Sequence, residues 1–166
     1  MSRKLTCLAA LCLLVVMTAS AGAQQGKVLF EYWFGGSIGG NLDTLKADAG
    51  FPDSPEQSEW RDGMDRPDWS GKDYFGARAR AYLTPTETGD YTFWVASDDD
   101  SELWLSTDAN AVSAVKIAGV EGWTGYQTWT KYASQKSAAI PLVAGEKYYI
   151  EMLFSDGTGG GHGSVA

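Results

Sequence analysis

Cysteine is nearly absent from this sequence: the only two, Cys7 and Cys12, lie within the first 23 of its 166 residues. That segment has the pattern of a secretory signal peptide, with a basic start, an apolar run over residues 5–17 and small residues up to position 23. The run is shorter than the ~20 residues of a membrane span. We therefore expect residues 1–23 to be a signal peptide. The exported domain that follows, residues 27–166, then has no disulfide and depends on its core.

Positive charge is also scarce. The sequence has 13 Lys and Arg residues against 21 Asp and Glu residues, a formal net charge of −8. Because nucleic acid and anionic membranes are themselves negative, both are poor partners for such a surface. No apolar run after residue 23 approaches membrane-spanning length, so we expect no membrane insertion. Cations and neutral polar ligands such as sugars are compatible with this charge.

The sequence after residue 23 lacks the 3.6-residue hydrophobic period of helices and shows strand-like patterns instead. The predicted strands are residues 27–34, 74–83, 91–96, 103–105, 112–118, 138–143 and 147–154. We expect one all-β domain, an antiparallel sandwich or barrel. Within it, 138–143 and 147–154 are predicted to form a hairpin across residues 144–146. Val165 and Ala166 look like the start of a last strand that the sequence does not finish.

Three adjacent carboxylates, Asp98–Asp100, stand between two of the predicted strands. Such crowding is unfavourable unless water screens the charges or a cation neutralises them. An EF-hand calcium loop starting at Asp98 is excluded, because Leu103 stands where Gly is needed and Ala109 where Glu is needed. Two interpretations remain open: a solvated turn whose Asp side chains cap their own backbone, and a metal site of another kind.

Signals for catalysis are weak. The sequence after residue 23 has no cysteine nucleophile, no Gly-x-Ser-x-Gly elbow and one histidine, His162. Loop 157–163 is rich in glycine but does not match a nucleotide-binding loop, because His162 replaces the third glycine and no helix follows. Such glycines let a backbone approach a ligand or metal, which makes Gly160 and His162 candidates for a binding site. A lone histidine is more often a surface residue. We expect no enzymatic activity.

Aromatic residues are abundant, with 7 Trp, 8 Tyr and 6 Phe. Residues 119–137 contribute Trp123, Tyr126, Trp129 and Tyr132. Aromatic faces suit the C–H surfaces of pyranose rings, although most such rings pack in cores. We expect core packing for most of this group and exposure for Trp123 or Trp129, which are the candidates for sugar binding. A run of acidic residues is expected to be a solvated loop face: Asp62, Asp65, Asp68 and Asp73.

Several motifs together carry a resemblance to a known family. They are Tyr74-Phe-Gly-Ala-Arg78, Thr88-Gly-Asp-Tyr91-Thr-Phe-Trp94, Ser97-Asp-Asp99, Glu102-Leu-Trp-Leu-Ser106, residues 123–136, Ala144-Gly145 with Tyr148-Tyr-Ile-Glu151, and the final glycine-rich loop. In this order they resemble the protective-antigen domain family, the module shared by anthrax protective antigen, yeast flocculins and adhesins, and many bacterial glycosidases and surface proteins. The similarity covers residues 28–166 and is closest to the subgroup found in large secreted bacterial proteins.

The resemblance implies a β-sandwich or barrel that binds carbohydrate in its sugar-binding members. In the adhesin lectins, an Asp-Asp pair joined by a cis peptide chelates Ca²⁺, which takes up sugar hydroxyls. The matching positions here are Asp98 and Asp99. Those lectins add ligands from a later loop that contains Asn. The corresponding loop here, residues 155–163, offers Asp156, His162 and backbone carbonyls.

These features together predict a non-catalytic carbohydrate-binding module that depends on calcium held by Asp98, Asp99 and Asp156. We expect the protein to be secreted or at the cell surface, with glycans or glycoconjugates as partners, a role in adhesion, and further domains in a longer parent protein. The alternative is a structural or protein-interaction module of a larger surface protein, without sugar affinity. A glycosidase is the third hypothesis.

Overall fold

The computed structural model describes residues 26–69 and 71–166, so the predicted signal peptide and its two cysteines lie outside the described residues. The strands are β1 (Val28–Phe34), β2 (Gln57–Arg61), β3 (Asp65–Arg66), β4 (Phe75–Leu83), β5 (Gly89–Tyr91), β6 (Val95–Asp98), β7 (Ser101–Leu105), β8 (Val115–Val120), β9 (Ile140–Leu142), β10 (Tyr148–Asp156) and β11 (His162–Val165). The helices of this part are α1 (Leu42–Lys46) and two 3-10 turns, Ala111–Ser113 and Ala133–Gln135. None of them is long and apolar enough to cross a membrane.

The strands form three antiparallel sheets, which confirms the all-β prediction. The large sheet has the order β2-β1-β4-β10-β7-β8, a second sheet has the order β3-β11-β6, and β5 pairs with β9. The second sheet lies across the inner face of the large one. At Gly163 of β11 a Cβ would stand 2.8 Å from the ring of Phe154 in β10, so the backbone of β11 lies directly on that ring. This close approach places the end of β10 beside the end of β6.

Alternation along the strands of the large sheet separates a core face from an outer face. In β4, Ala77 and Ala79 are fully buried, while Arg78 and Arg80 point to the outer face. There both arginines bind Glu31 of β1, each at 2.8 Å. The core between the layers is built from apolar side chains of both: Phe30, Tyr32, Phe75, Val95, Leu103, Met152 and Phe154, with others.

Helix α1 covers part of the outer face. Asn41 caps its start by accepting a hydrogen bond from Asp43 N at 2.7 Å. Its buried residues Leu42 and Leu45 pack in a second apolar cluster together with Trp33, Ile38 and Leu153. The helix therefore holds the residues just before it, including Gly40, against the edge of the sheet where β10 ends.

Three sequence-based expectations about the strands are corrected by the pairing. The predicted hairpin of 138–143 with 147–154 is wrong, because β9 pairs with β5 while β10 pairs with β4 and β7. The predicted strand 91–96 is divided between β5 and β6, which belong to different sheets. The last strand begins at His162, three residues before the expected start at Val165, and pairs on both sides with β3 and β6.

Candidate metal centre and its aromatic rim

The acidic turn is a crossing between two sheets. Strand β6 belongs to the second sheet and β7 to the large one, so residues 99 and 100 carry the chain from one layer to the other. The peptide bond between Asp98 and Asp99 is cis, as the family resemblance implies. Asp156, the last residue of β10, meets this crossing. Ligand oxygens of Asp98, Asp99 and Asp156 all lie within 4.8 Å of one another. The fold thus brings together the three residues that the sequence suggested as metal ligands.

Backbone hydrogen bonds hold the acidic turn against β10. Asp99 N donates to the Ser155 carbonyl at 2.7 Å, and Ser155 N donates to the Asp100 carbonyl at 3.1 Å. The carboxylate of Asp99 accepts from Gly157 N at 3.0 Å through Oδ2. Inside the crossing, Ser97 Oγ donates to the Asp99 carbonyl at 2.7 Å. Because these bonds fix the backbone on both sides, the spacing of the three carboxylates is set before any ligand binds.

The electrostatics of this cluster favour an added positive charge. Asp156 is fully buried, and neither of its carboxylate oxygens has a hydrogen-bond partner within the described residues. Burial, followed by the charges of Asp99 and Asp98, raises the pKa of Asp156 to about 7. Burial and the charge of Asp99 likewise raise the pKa of Asp98 to about 6. A buried carboxylate without donors is costly unless it is protonated or bound to a cation.

The donor set fits calcium. Ca²⁺ takes six to eight oxygen ligands at about 2.4 Å and tolerates irregular geometry. Three carboxylates from two separate elements supply hard oxygen ligands, and the two oxygens of Asp156 have no competing donor among the described residues. Softer transition metals would call for Cys or several His ligands. His162 is the one histidine in the sequence, and it stands outside this three-residue group.

The segment that follows β8, residues 121–132, forms a rim beside the cluster. Gly122 N donates to Asp100 Oδ1 at 2.6 Å, and Thr124 N donates to the Ser97 carbonyl at 2.7 Å. Trp123 lies between these two attachment points and is 55% exposed. The predicted exposure of Trp123 is therefore confirmed, and the backbone on either side of it is bonded to the strand and turn that carry the acidic residues. Asp100 serves to attach the rim and is not a member of the cluster.

The other aromatic residues of the rim differ in part from expectation. Trp129 is half-buried, whereas Tyr126 is exposed. Tyr126 donates a hydrogen bond to Asp65 at 2.9 Å and packs its ring edge against His162, with centroids 5.6 Å apart. Tyr132 packs on the core, as expected. Trp123 and Tyr126 are thus the exposed rings closest in sequence to the acidic attachment points.

His162 is buried, and the expectation of a surface histidine is wrong. It pairs with Asp98 in the ladder between β11 and β6. Its Nε2 lies 3.1 Å from the Thr124 carbonyl and must donate there, which leaves Nδ1 as an acceptor with no partner among the described residues. Burial lowers the pKa of His162, so the ring is neutral at physiological pH. His162 therefore stabilises the rim through its contacts with Thr124 and Tyr126.

Asp68 and Asp73, in the loop between β3 and β4, are exposed, as expected of a solvated loop face, but this loop also contacts loop 157–161. Asp73 Oδ1 accepts from Gly159 N at 3.2 Å. A Cβ on Gly160 would meet Asp68 Oδ1 at 3.1 Å, so Gly160 makes room for that carboxylate. Asp65 accepts from Ser164 Oγ at 2.6 Å, while Asp62 is exposed as expected. No spacing in the sequence indicates that this loop folds onto loop 157–161, because the contact is made only in three dimensions.

Comparison with known proteins identifies the architecture. The profile of the PA14 domain family, whose prototype is the domain of anthrax protective antigen, matches residues 40–166 and confirms the resemblance noted in the sequence. The chain is 34% identical over 143 residues to the N-acetyl-beta-glucosaminyl-glycoprotein 4-beta-N-acetylgalactosaminyltransferase 1 of Mus musculus, a match that covers 82% of this chain and 13% of the transferase. Fibrocystin of Canis lupus familiaris is 29% identical over 84 residues, which cover 46% of this chain and 2% of that protein. The chain therefore spans a small part of the relatives it matches.

Two solved structures share the fold. The epithelial adhesin 9 A domain of Candida glabrata, in complex with Galb1-4GlcNAc, superposes with a TM-score of 0.57 at 15% identity, covering 84% of this chain and 80% of that one. The PA14 domain of the antifreeze protein MpAFP superposes with a TM-score of 0.58 at 16% identity, with the same coverage of 84% and 80%. At these identities the likeness establishes the fold.

Proposed function

Because the chain belongs to the PA14 domain family, we propose that it is a non-catalytic carbohydrate-binding module in which Asp98, Asp99 and Asp156 hold Ca²⁺. The observation that carries the proposal is the fully buried Asp156 carboxylate, which lacks any donor in the described part of the chain and lies within 4.8 Å of the other two. The glycan complex of the structurally similar epithelial adhesin supports carbohydrate as the ligand class.

Each residue of the site has a separate role in this proposal. Bound calcium would supply open coordination positions for two hydroxyls of a sugar. Gly157 N engages Oδ2 of Asp99 at 3.0 Å and so orients that carboxylate. Trp123, whose neighbours in the chain are bonded to Asp100 and Ser97, has an exposed ring on which the C–H face of a pyranose can pack. Asp100 and Thr124 act indirectly, since they hold the backbone on either side of Trp123.

Catalysis is not part of the proposal. Glycosidases place two carboxyl groups on either side of the bond to be cleaved, about 5 to 9 Å apart. Here the three carboxylates converge on one ion-sized space, and one of them is fully buried. A carboxylate committed to an ion is not free to transfer a proton. We further propose that the protein acts outside the cell, where the segment predicted as a signal peptide would direct it.

Thermal unfolding in calcium tests the metal site. If the ion binds the folded state alone, calcium at a hundred times its Kd adds about 2.7 kcal/mol, which for a domain of this size raises Tm by roughly 5–10 °C. The Asp98→Asn and Asp99→Asn variants should lose this shift, because each removes a charged ligand. Asp53→Asn, an exposed position in the same acidic protein, should keep it. An equal shift in all variants would refute the assignment.

A glycan array read with calcium and with EGTA tests the ligand. We expect binding that calcium restores after chelation and that Trp123→Ala weakens while the thermal shift is retained. Silence on a broad array with excess calcium would overturn carbohydrate binding. Activity against nitrophenyl glycosides would instead revive the glycosidase hypothesis.

A protein-interaction module is the second candidate, and one observation favours it. The outer face of the large sheet exposes two large aromatic residues, Trp60 at 39% and Tyr82 at 53%. Such residues are enriched in protein interfaces. The test is whether the domain binds another protein. If the array is silent and such binding is lost when Trp60→Ala and Tyr82→Ala are combined, this candidate replaces the first.

A further inference from the structure

We infer that Lys131 makes this site select glycans that carry an anionic substituent, a carboxylate or a sulfate ester, beside the hydroxyls bound at the metal. This rests on the proposed function and adds the chemical class of its ligand.

The ammonium of Lys131 is fixed on the rim. Its Nζ lies 3.5 Å from the centroid of the Trp123 ring and 5.0 Å from that of Tyr132. It also donates to the Trp123 carbonyl at 2.6 Å. An ammonium has three hydrogens, so two remain for other acceptors. The cation–π contact and the hydrogen bond together hold the charge in one place beside an exposed ring.

Lys131 has no carboxylate partner within 4.0 Å among residues 26–69 and 71–166. Three lysines of the described residues do have one: Lys27 binds Asp62, while Lys46 and Lys116 both bind Glu102. Lys131 differs from the other unpaired lysines in that it also donates to the Trp123 carbonyl on the rim. A cation that is held in place and left without an anion is positioned to receive one from a ligand. Arg or Lys opposite a ligand carboxylate or sulfate forms charge-assisted hydrogen bonds, which are about twice as strong as neutral ones.

The rim places this cation next to the metal cluster. Trp123 is anchored on both sides to the acidic turn, through Gly122 to Asp100 and through Thr124 to Ser97. Lys131 donates to the carbonyl of Trp123, and the next residue, Thr124, donates its N–H to the carbonyl of Ser97, one residue before Asp98. A sugar held at the cluster by two hydroxyls therefore has its remaining substituents within reach of Lys131.

The net charge of −8 does not oppose this selection. At physiological ionic strength the Debye length is about 8 Å, so distant carboxylates are screened while the fixed ammonium acts at contact distance. Neutral sugars remain ligands, because water satisfies the two free hydrogens of Lys131 when no anion does. The expected result is a preference, with the anionic form of a given sugar favoured over its neutral form.

Calorimetric titration with matched sugars tests the inference. The probes are methyl galactoside, methyl galacturonoside and methyl galactoside 6-sulfate, with the corresponding glucose series, in calcium and 150 mM salt. They share one ring and differ at C6 in being neutral, carboxylated or sulfated. We expect the anionic members of the bound series to have a Kd about tenfold lower than the neutral member. The ratio of the two anionic arms shows which of the two groups the rim prefers.

Variants of Lys131 identify the cause. Lys131→Met keeps an unbranched side chain over Trp123 and should bring the anionic-to-neutral ratio to one, while Lys131→Arg should retain the preference. The matched control is Lys136→Met, because Lys136 also stands over a tryptophan, 5.3 Å from the ring of Trp94, which is not part of the rim. Its ratio should equal that of the wild type. A calcium shift of normal size in each variant shows that the fold and the metal site are intact.

The outcomes separate this inference from the proposed function. If neutral and anionic sugars bind equally, or if Lys131→Met leaves the ratio unchanged, the inference is wrong and the carbohydrate-binding module stands. If none of the six sugars and no array glycan binds in calcium, both are wrong.

Discussion

At the scale of single residues, the acidic turn depends on a neighbour that has no side chain. Gly40, just before α1, lies against Asp99: a Cβ there would stand 2.2 Å from Oδ2 and 2.6 Å from Cγ of that residue. A Cβ on Gly39 would meet nothing within 4 Å. Two adjacent glycines thus differ completely in what they allow, and only one of them permits the carboxylate of Asp99 to take its place in the cluster.

This contrast gives a prediction with a built-in control. Gly40→Ala should displace the Asp99 carboxylate and weaken calcium binding about tenfold or more, the range typical of residues that position metal ligands. Gly39→Ala should leave calcium affinity unchanged. Titration calorimetry with calcium measures both. Equal affinities for the two variants would show that Asp99 is not held by this contact.

The family resemblance, and not residue identity alone, singled out Asp98, Asp99 and Asp156, and it did not describe their neighbours. The importance of Gly40, Asp68 and Asp73 depends on loops that meet the cluster from distant parts of the chain. His162 was expected at the surface and is buried. Its position follows from β11 lying between two strands, which a four-residue segment does not reveal by itself.

At the scale of elements, ion pairs on the outer face of the large sheet stabilise the pairing of β1 with β4. Glu31 of β1 is buried and binds Arg78 and Arg80 of β4, each at 2.8 Å. Arg78 is also largely buried, so its charge needs this partner. The alternating arginines of β4, recognised in the sequence as a strand pattern, therefore fix the pairing of β4 with β1.

We expect Glu31→Gln to lower the free energy of unfolding by roughly 3 kcal/mol, because it leaves the Arg78 charge without compensation in a buried position. Urea denaturation should show a lower midpoint with an unchanged m-value. Glu87→Gln, at an exposed position, should stay within about 0.5 kcal/mol of the wild type. Full stability of Glu31→Gln would mean that packing alone sets the pairing. The calcium shift should survive in both variants.

Element types were mostly predictable, whereas their pairing was not. Strand-like sequence patterns located β1, β4 and β10 within a few residues of their observed bounds, with a period of two in β4. The turn after β9 looked like a hairpin, yet β9 pairs with β5 and β10 with β4 and β7. A strand contributes the same local pattern whichever partner it has, so the choice is made by the packing of the two layers.

At the scale of the whole molecule, the candidate metal centre joins the two main layers. Asp98 ends a strand of the second sheet, Asp156 ends the central strand β10 of the large sheet, and Asp99 lies in the crossing between them. The repulsion among these carboxylates opposes the docking of the layers on each other. Ligation of a cation by all three would convert that repulsion into attraction.

This predicts an unusual pH dependence for the calcium-free domain. The pKa of Asp156 is raised to about 7 in the folded state, against about 3.9 for a free Asp. The folded state then binds this proton more tightly than the unfolded state. Its contribution to stability is fully present below about pH 4 and is lost as the pH rises through 7. His162, whose pKa is lowered by burial, contributes in the opposite direction as the pH falls below its ordinary value of about 6.5.

Comparison of the wild type with Asp156→Asn separates the effect of the Asp156 carboxylate on stability from that of the other titrating groups. In EGTA, the Tm of the wild type relative to that of Asp156→Asn should fall between pH 5 and pH 8, because only the wild type carries this titrating group. Calcium should remove the difference in slope by neutralising the cluster. Asp53→Asn should follow the wild type throughout. Parallel Tm curves for wild type and Asp156→Asn would contradict the raised pKa and the crowding behind it.

The sequence by itself determined that this is an all-β domain of the PA14 family, and it placed an acidic turn between two aromatic strands. Alternation and composition are local properties, so they survive without knowledge of the fold. Only the tertiary structure decided that Asp156 is buried without a partner beside Asp98 and Asp99, and that Trp123 and Lys131 stand on their rim. The reason is physical: burial and charge proximity are properties of segments far apart in the chain, which meet only when two sheets pack face to face.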